Sequence, residues 1–310
     1  MTFQQLKYIV ALDEYRHFGK AAESCGLTQS TLSLMIKKLE EELDVQIFDR
    51  EARPVAPTET GRRILDQARV VLYNTDQIPE MVRGEKERIT GPLRIGLIST
   101  VAPVLVPGLF KYFTHNHPNI SLQTEEMLTE TLKGKLHKAE IDIGILAAPI
   151  GDPQLLEIPL YTECFYAYVS ADDPAARKED LRADYLLNRP VWIMRNGLRL
   201  YDFSLRGNVR DVPVYYEEYF EGGRVGTLIQ IVEDNGGLTI IPQTHVKLIP
   251  DELQARLRPI TDPAPRRTIV LAVRRDYIHE AMLNLVIRAV KSIIPGPMLE
   301  NIVRSDYIKL

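Results

Sequence analysis

The 310-residue sequence predicts a mixed fold in three parts: an α-rich N-terminal segment, one long helix, and an α/β region built as two lobes. Apolar residues recur at helical spacing up to residue 88, and strand and helix patterns alternate from residue 91 onward. With 45% apolar residues, the chain is long enough for two or three domains, each with its own core.

Two helices joined by a sharp turn are predicted for residues 17–43, buttressed by a first helix at 2–14. The small side chains of Ala21 and Ala22 allow the helices to cross closely, and Gly26 supplies the backbone freedom that the turn needs. Thr28 is predicted to cap the second helix. The apolar stripe of that helix consists of Leu32, Met35, Ile36, Leu39 and Leu43.

The opposite face of the second helix carries short hydrogen-bonding groups followed by a cation. Such a face suits a helix whose N-terminal end enters a DNA major groove, and an ordinary solvated helix face is the alternative. Residues 45–48 alternate like a short strand, and residues 50–57 predict a wing that reaches the DNA backbone or minor groove, or else a surface turn that packs Phe48. The candidate DNA-binding residues are Gln29, Ser30, Thr31, Ser33, Lys37, Arg50 and Arg53.

The net charge of residues 1–58 argues mildly against a nucleic-acid-binding role. Residues 1–58 contain seven Lys/Arg against nine Asp/Glu, whereas a domain that grips phosphates is usually basic. The acidic run Glu40, Glu41 and Glu42 falls at the far end of the reading helix. The sequence therefore predicts few phosphate contacts and a moderate salt dependence, offset by several binding heads per assembly.

A long helix is predicted to begin after Thr58, which can cap it. Its stripe runs through about five turns, which predicts that the same helix of a second chain covers it in a coiled-coil-like dimer. Pro79 is expected to kink the helix or end its regular part, and Gly84 opens a hinge. The stripe consists of Ile64, Leu65, Ala68, Val71, Leu72, Thr75, Ile78 and Val82.

The α/β region starts with a β-α-β-α-β pattern that predicts a parallel sheet. Its strands are predicted at 93–98, 120–127 and 141–146, and its helices at 102–116 and 129–139. A second unit follows, with strands at 160–170, 191–194, 212–217 and 238–242 and a helix at 223–234. The chain then returns through a strand at 265–275 and ends in a helix at 277–294, which gives two lobes with a cleft, as in periplasmic binding proteins.

Three domains follow from this reading: DNA-binding at 1–58, a dimerising linker at 59–88 and an effector domain at 89–310. Within the last, lobe I covers about 91–161 and 267–310, and lobe II about 162–266. Ligands of open α/β sheets bind beyond the carboxyl ends of strands. By that rule, residues that follow strands or lie in turns of the two lobes are candidates for effector binding, although they could also be simple helix caps and turns. The candidate effector-binding residues are Ser99, Thr100, Thr129, Asn196, Gly197 and Gly236.

Other function classes find little support in the sequence. The two cysteines, Cys25 and Cys164, fall in different predicted domains and fit a reducing cytoplasm, and Cys164 is expected to pack as a small buried residue. No metal-ligand spacing, catalytic grouping or phosphate loop stands out, so neither an enzyme nor a cofactor is predicted. No stretch has the length of a membrane span or the pattern of a secretory signal.

The sequence resembles the LysR-type transcriptional regulators in FGKAAE at 18–23, TQSTLS at 28–33, IKKLEEEL at 36–43, IFDR at 47–50 and APTETG at 56–61. The resemblance covers the whole chain. It implies a winged helix-turn-helix domain, a cytoplasmic homo-oligomer that is a dimer of dimers, operator DNA and a small-molecule effector as partners, and RNA polymerase as a further one. A solute-binding module with the same two lobes is the alternative.

Within that family, the effector region resembles the peroxide-sensing OxyR branch in GLISTVAP at 96–103, IPLYTE at 158–163, LTIIP at 238–242 and PAPRRTI at 263–269. The resemblance implies an oxidative-stress role, with Thr100 and Thr129 holding peroxide near a reactive cysteine that a second cysteine resolves nine residues later.

The alignment places Gly197 at the reactive cysteine and Arg206 at the second, with Asn196 at a preceding histidine. Residues 195–208 contain no cysteine, so we expect the disulfide switch to be absent, because neither glycine nor arginine can be oxidised and resolved. The protein is then a relative that binds another small molecule, for which Arg206 suggests an anion, or a peroxide sensor whose cysteine positions were altered.

Overall fold

The computed structural model describes residues 1–83, 90–187, 191–192, 224–277 and 279–299. Contacts divide the chain into two compact units, Met1–Glu87 with Gly134–Glu140, and Arg88–Lys133 with Ile141–Leu310. Among the described residues, no helix is long and apolar enough to cross a membrane.

The first unit contains four helices and a two-stranded wing. Its helices are α1 (Phe3–Tyr15), α2 (Phe18–Ser24), α3 (Gln29–Leu43) and α4 (Glu59–Arg83), and the wing consists of β1 (Phe48–Asp49) and β2 (Ala56–Pro57). The Thr28 hydroxyl accepts the Thr31 N–H at 3.2 Å, and the Thr58 hydroxyl accepts the Gly61 N–H at 2.9 Å, so both predicted caps are confirmed. Gly26 has a φ of 67°, as the predicted turn requires.

The core of the first unit is formed by residues from every helix and from the start of the wing. Leu32, Ile36 and Leu39 of the predicted α3 stripe are fully buried. Met35 is only half-buried and Leu43 is exposed, so the buried stripe of α3 is narrower than the sequence suggested. The core residues are Leu6, Ile9, Leu12, Ala21, Ala22, Leu32, Ile36, Leu39, Ile47, Phe48, Leu65 and Ala68.

Helix α4 continues to Arg83, so of the two effects expected of Pro79 the structure excludes an end of the helix at that residue. The helix differs from the prediction in how its stripe is covered. The first half of its stripe is covered by its own unit, since Leu65 and Ala68 are buried against α1 and its neighbours. Further along, Ile78 is 56% exposed. Gly61 permits the close start of this helix, because a Cβ there would lie 1.9 Å from the Ile47 carbonyl oxygen.

The second unit combines helices with an eight-stranded arrangement. Its strands are β3 (Gly91–Ile98), β4 (Ile120–Met127), β5 (Ile143–Ala147), β6 (Leu155–Val169), β7 (Leu181–Arg182), β8 (Leu238–Pro242), β9 (Leu257–Thr261) and β10 (Arg266–Arg274). Its helices are α5 (Ala102–Asn116), α6 (Thr129–His137, of which the residues from Gly134 are grouped with the first unit), α7 (Ala183–Leu187), α8 (Val225–Asn235), α9 (Asp251–Gln254), α10 (Glu280–Ile293) and α11 (Gly296–Leu299).

Lobe I is built on the strand order β4-β3-β5-β10-β6. Strand β3 pairs in parallel with β4 and β5, which confirms the predicted parallel unit. Strand β10 joins this sheet antiparallel to β5 and β6, as the returning strand. Helices α5 and α10 pack together on this lobe.

Strand β6 joins the two lobes. It pairs with β10 up to Cys164 and then, from Phe165, with β8, while its last residues also pair with β9. It starts five residues earlier than the predicted 160–170 strand, because its first residues extend the lobe I sheet. The predicted strand at 212–217, the end of the one at 191–194, and residues 300–310 of the C-terminal tail lie outside the described residues.

Candidate nucleic-acid interface and effector site

The start of α3 is organised by its cap. The Thr28 hydroxyl lies 3.0 Å from the Ser30 hydroxyl and 2.8 Å from the Thr31 hydroxyl, so the cap also orients two of the predicted reading groups. Gln29 and Ser30 are exposed, whereas Thr31 and Ser33 are half-buried. The first turn of α3 therefore presents an amide and hydroxyls to solvent, which are groups that can pair with base edges.

Lys37 lies one to two turns further along the same helix and is exposed. Its ammonium is 3.5 Å from the Glu41 carboxylate, and both side chains are 62% exposed. An exposed pair four residues apart on a helix contributes little to stability and exchanges readily for another partner. Lys37 is thus available to a phosphate.

Glu40 lies near the far end of α3, as predicted, and its carboxylate is used inside the first unit. It is only 8% exposed, and its Oε1 accepts the N–H groups of Ile47 at 2.8 Å and Phe48 at 3.2 Å. Its Oε2 accepts Nη2 of Arg50 at 2.7 Å. Glu40 therefore fixes the start of the wing against α3 and is not part of a solvated acidic end.

Arg50 is held by this carboxylate and by an aromatic ring. Its guanidinium lies 5.8 Å from the ring centroid of Phe18 in α2, a distance at which a cation is attracted to an aromatic face. Arg53, nearer the tip of the wing, is exposed. The wing therefore carries two exposed arginines, of which Arg50 is positioned by Glu40 and by the ring of Phe18.

In the second unit, two predicted residues of lobe I share one edge of the sheet. Ile98 and Met127 are register partners at the ends of parallel strands β3 and β4. Ser99 directly follows the end of β3, and Thr129 lies two residues after the end of β4. Both are half-buried. The structure therefore brings them to the edge where ligands of such sheets bind.

Thr100 is buried against a charged pair that the sequence analysis did not select. Its hydroxyl accepts Nη1 of Arg267 at 2.9 Å. Arg267 in turn donates its Nε to Oε1 of Glu163 at 2.8 Å, and these two residues are directly opposite in the β10–β6 register. Both side chains are at most 3% exposed, so the pair lies inside the protein beside the predicted effector residue.

Lobe II completes this cluster through the turn that follows β8. The N–H and hydroxyl of Thr244 donate to Oε2 of Glu163 at 3.0 and 2.6 Å. Nε2 of His245 lies 2.9 Å from the Thr100 carbonyl oxygen, and since a carbonyl only accepts, this nitrogen carries the proton. Burial lowers the pKa of His245 below its usual value of 6.5, which keeps the ring neutral. We name these five residues (Thr100, Glu163, Thr244, His245 and Arg267) the junction cluster.

Tyr161 lies on β6 two residues before Glu163 and is fully buried. Its hydroxyl has no hydrogen-bond partner among the described residues. Burial raises the pKa of Tyr161, and the nearby carboxylate of Glu163 raises it further. The phenol is therefore neutral and able to donate a hydrogen bond next to the junction cluster.

Gly236 lies at the opposite end of β8 from Thr244 and His245 of the junction cluster. The antiparallel register of β8 sets Leu238 against Val169 and Pro242 against Phe165, and Thr244 follows the second end. Gly236 precedes the first end, roughly 13 Å away along the strand at the usual rise per residue. Its carbonyl accepts the indole N–H of Trp192 at 2.9 Å. The predicted residues Asn196, Gly197 and Arg206 lie outside the described residues.

Both cysteines are free and half-buried, so Cys164 is less enclosed than the sequence suggested. The Cys164 backbone N–H donates to Oε1 of Gln243 at 3.1 Å, at the point where β6 changes partners. Within the described part of the chain, no group of three or more His, Cys, Asp or Glu side chains could hold a metal ion.

Only one feature of the sequence could have indicated the junction cluster. Glu163 and Arg267 are opposite charges inside two apolar strand patterns, and such charges need a partner when buried. Their pairing depends on the register of strands 104 residues apart, which no local pattern gives.

Comparisons with known proteins agree with both units. Residues 3–62 match the family model of bacterial regulatory helix-turn-helix proteins of the lysR family, and residues 86–293 match the LysR substrate binding domain. The chain is 33% identical over 274 residues to the DNA-binding transcriptional dual regulator OxyR of Escherichia coli, covering 88% of this chain and 90% of that protein. It is 31% identical over 304 residues to the hydrogen peroxide-inducible genes activator of Haemophilus influenzae, covering 96% and 99%.

Solved structures give the same result over 94% of this chain. A cysteine-to-aspartate variant of full-length OxyR from Pseudomonas aeruginosa superposes with a TM-score of 0.78 at 31% identity, covering 94% of this chain and 98% of that one. A hydrogen peroxide-bound cysteine-to-serine variant of OxyR from Corynebacterium glutamicum has a TM-score of 0.58 at 26% identity, covering 94% and 93%.

Proposed function

This chain belongs to the LysR family of DNA-binding transcriptional regulators and is OxyR-like, and from that premise we propose which surface reads its operator and which small molecule it senses. The single observation that carries the proposal is the exposed polar first turn of α3 beside an arginine-bearing wing. An α-helix fits the major groove, and a wing beside it reaches the backbone. We assign DNA contacts to Gln29, Ser30, Thr31, Ser33, Lys37, Arg50 and Arg53.

We propose that the protein acts as a homotetramer, a dimer of dimers, in the cytoplasm. Ile78, beyond the part of α4 that its own unit covers, is exposed, which supports pairing through the outer half of that helix. The domain boundaries remain those expected from sequence: DNA-binding at 1–58, linker at 59–88 and effector domain at 89–310. RNA polymerase is a further proposed partner. Like other regulators of transcription, the protein is proposed to catalyse no reaction and to need no cofactor.

We place the effector at the lobe I edge formed by Ser99, Thr100 and Thr129, next to the junction cluster. The charge of Arg267 is already matched by Glu163, and His245 is neutral, so the cluster carries no net charge. This arrangement favours a small polar, uncharged effector at the described residues. An anionic effector would need Arg206, and Asn196, Gly197 and Gly236 stay candidates on the sequence argument alone.

We propose that the switch does not use a disulfide between positions 197 and 206, since Gly197 and Arg206 carry no thiol. A second candidate function is a peroxide response in oxidative stress. It is favoured by relatives named hydrogen peroxide-inducible genes activators, and it would require chemistry other than that cysteine pair.

Operator footprinting on DNA upstream of the protein's own gene separates these candidates. The footprint is taken with and without a peroxide pulse, and with a panel of small polar molecules that includes organic acids. A footprint that shifts with one such molecule and ignores peroxide supports a ligand-gated regulator. A peroxide shift that disappears in Cys164→Ser would contradict our proposal and make that thiol the sensor. Failure to distinguish operator from random duplex would contradict the assignment of the reading face.

A further inference from the structure

Leu34 is an apolar residue exposed on the outward face of α3. It is 50% exposed, whereas Leu32 and Ile36, two residues away on either side, are fully buried. At 3.6 residues per turn, Leu34 points about 160° away from each of them. It therefore contributes nothing to the core of its own unit.

The neighbours of Leu34 belong to the proposed reading face. Ser30 lies one turn before it and Lys37 almost one turn after it, and residues three and four apart on a helix share a face. Both neighbours are exposed. Leu34 thus lies between a hydroxyl and an ammonium group on the surface that we assign to DNA.

Exposure of a leucine alone is ordinary in soluble proteins, so its position must carry the argument. Leu34 is the sixth of the 15 residues of α3, in the N-terminal half of the second helix of a helix-turn-helix, where side chains contact base edges. The C5-methyl group of thymine is the apolar group that base edges present in the major groove.

We propose that Leu34 reads the 5-methyl group of a thymine in the major groove of the operator. The inference rests on the proposed reading face and adds an apolar contact to its polar ones. Burying one methyl group against Leu34 is expected to strengthen binding about fourfold for each contacted thymine. Because the assembly presents several heads, the same thymine should recur in each half-site.

The test uses the full-length protein and an operator defined by footprinting, in which thymines are replaced one at a time by uracil. Uracil lacks only the 5-methyl group and keeps every base-pair hydrogen bond. We expect one uracil position per half-site to weaken wild-type binding about fourfold. Leu34→Ala removes the contact from every head at once, so it should weaken binding to the thymine operator about fourfold for each contacted half-site and be insensitive to uracil at those positions. Alanine favours helix, so α3 is retained.

Leu43→Ala is the matched control, because Leu43 is exposed at the other end of the same helix. It should bind the thymine operator like wild type and keep its uracil sensitivity. The proposal is overturned if Leu34→Ala keeps the same sensitivity, or if no uracil position affects the wild type while operator and random DNA are still distinguished. Loss of that distinction in the wild type would instead overturn the reading face itself. A changed oligomeric state of Leu34→Ala, measured by sedimentation without DNA, would assign Leu34 to a contact between copies and also contradict the proposal.

Discussion

Glu40 in the first unit and Glu163 in the second each accept a backbone N–H and pair with an arginine, but the two arginines differ in exposure. The side chain of Arg50 is 39% exposed, and that of Arg267 is 3% exposed. Nη1 of Arg267 donates to Thr100, whereas among the described residues Arg50 makes its hydrogen bond to Glu40 alone. Two similar ion pairs therefore differ in how far solvent reaches the arginine.

The exposure of each arginine determines what it can bind. An arginine that keeps N–H groups toward solvent can bind a phosphate while one side of it is fixed, which suits the wing. An arginine whose donors are used inside the protein can only hold the segments it touches. The Glu163–Arg267 pair accordingly joins β6, β10 and the loop at Thr100, and it is costly to break because one charge would stay buried.

The strongest test of this contrast is Glu163→Gln. Removing one partner of a buried ion pair leaves the charge of Arg267 uncompensated, so we expect the second unit to lose about 3–5 kcal/mol of stability. Urea unfolding is followed by fluorescence of Trp192, the single tryptophan of the chain, which lies in lobe II and reports on that unit. Glu179→Gln makes the same charge change at an exposed position and should leave the midpoint unchanged. A loss below about 1 kcal/mol in Glu163→Gln would show that the pair is not a buried structural one.

The corresponding change in the first unit, Glu40→Gln, should cost less. Glutamine can still accept one N–H, and solvent can reach Arg50, so we expect a loss of about 1–2 kcal/mol. Hydrogen exchange gives the direct measurement, because the amides of Ile47 and Phe48 donate to Glu40 and should exchange roughly tenfold faster in the variant. Glu14→Gln on α1 is the control. Unchanged exchange at both amides would contradict the role of Glu40 as an anchor for the wing.

Arg53→Ala tests the solvent side of the wing without touching the ion pair. If Arg53 contacts one phosphate, the slope of log K against log salt should fall in magnitude by about 0.9 per head, with no change in unfolding. Lys7→Ala on α1 removes the same charge at another exposed position and should leave the slope unchanged. An equal decrease in both variants would show a general charge effect and no wing contact.

The elements of this fold could be predicted from the sequence because their signals are local. Helix 102–116 and the strands at 93–98 and 120–127 were expected almost as found, since periodicity and flanking turn residues lie within each segment. The burial of Glu40 was not anticipated, although the helical phase places it four residues after buried Ile36. A run of three glutamates does not show that one of them is buried unless each residue is assigned to a face of the helix.

The junction cluster could not be predicted for a different reason. Its members come from the loop after β3, from β6 and β10, and from the turn after β8, and only the strand register brings them together. The same limit applies to the turn at Gly236. A turn before a strand and a turn after it look alike in sequence, and only the direction of β8 shows that Gly236 precedes this strand and Thr244 follows it.

The smallest expected effect is the contribution of His245 to the pH dependence of stability in the second unit. The charged and titratable groups that face this ring are Glu163 and Arg267, and its Nε2 donates to the Thr100 carbonyl. Burial lowers its pKa in the folded state, so below about pH 6.5 the unfolded chain binds a proton that the folded chain does not. Stability of the second unit should therefore be full above that pH and decrease as pH falls from there through the lowered pKa.

His245→Gln can keep the hydrogen bond to Thr100 but does not titrate, so it isolates this contribution from those of other groups. The midpoint of urea unfolding, followed at Trp192 between about pH 5 and 8, should decrease less toward acid in the variant than in the wild type. Parallel pH profiles would mean that His245 titrates normally in the folded protein. The contact across the two lobes would then tolerate a charge, and Glu163 would have to balance both Arg267 and the protonated ring.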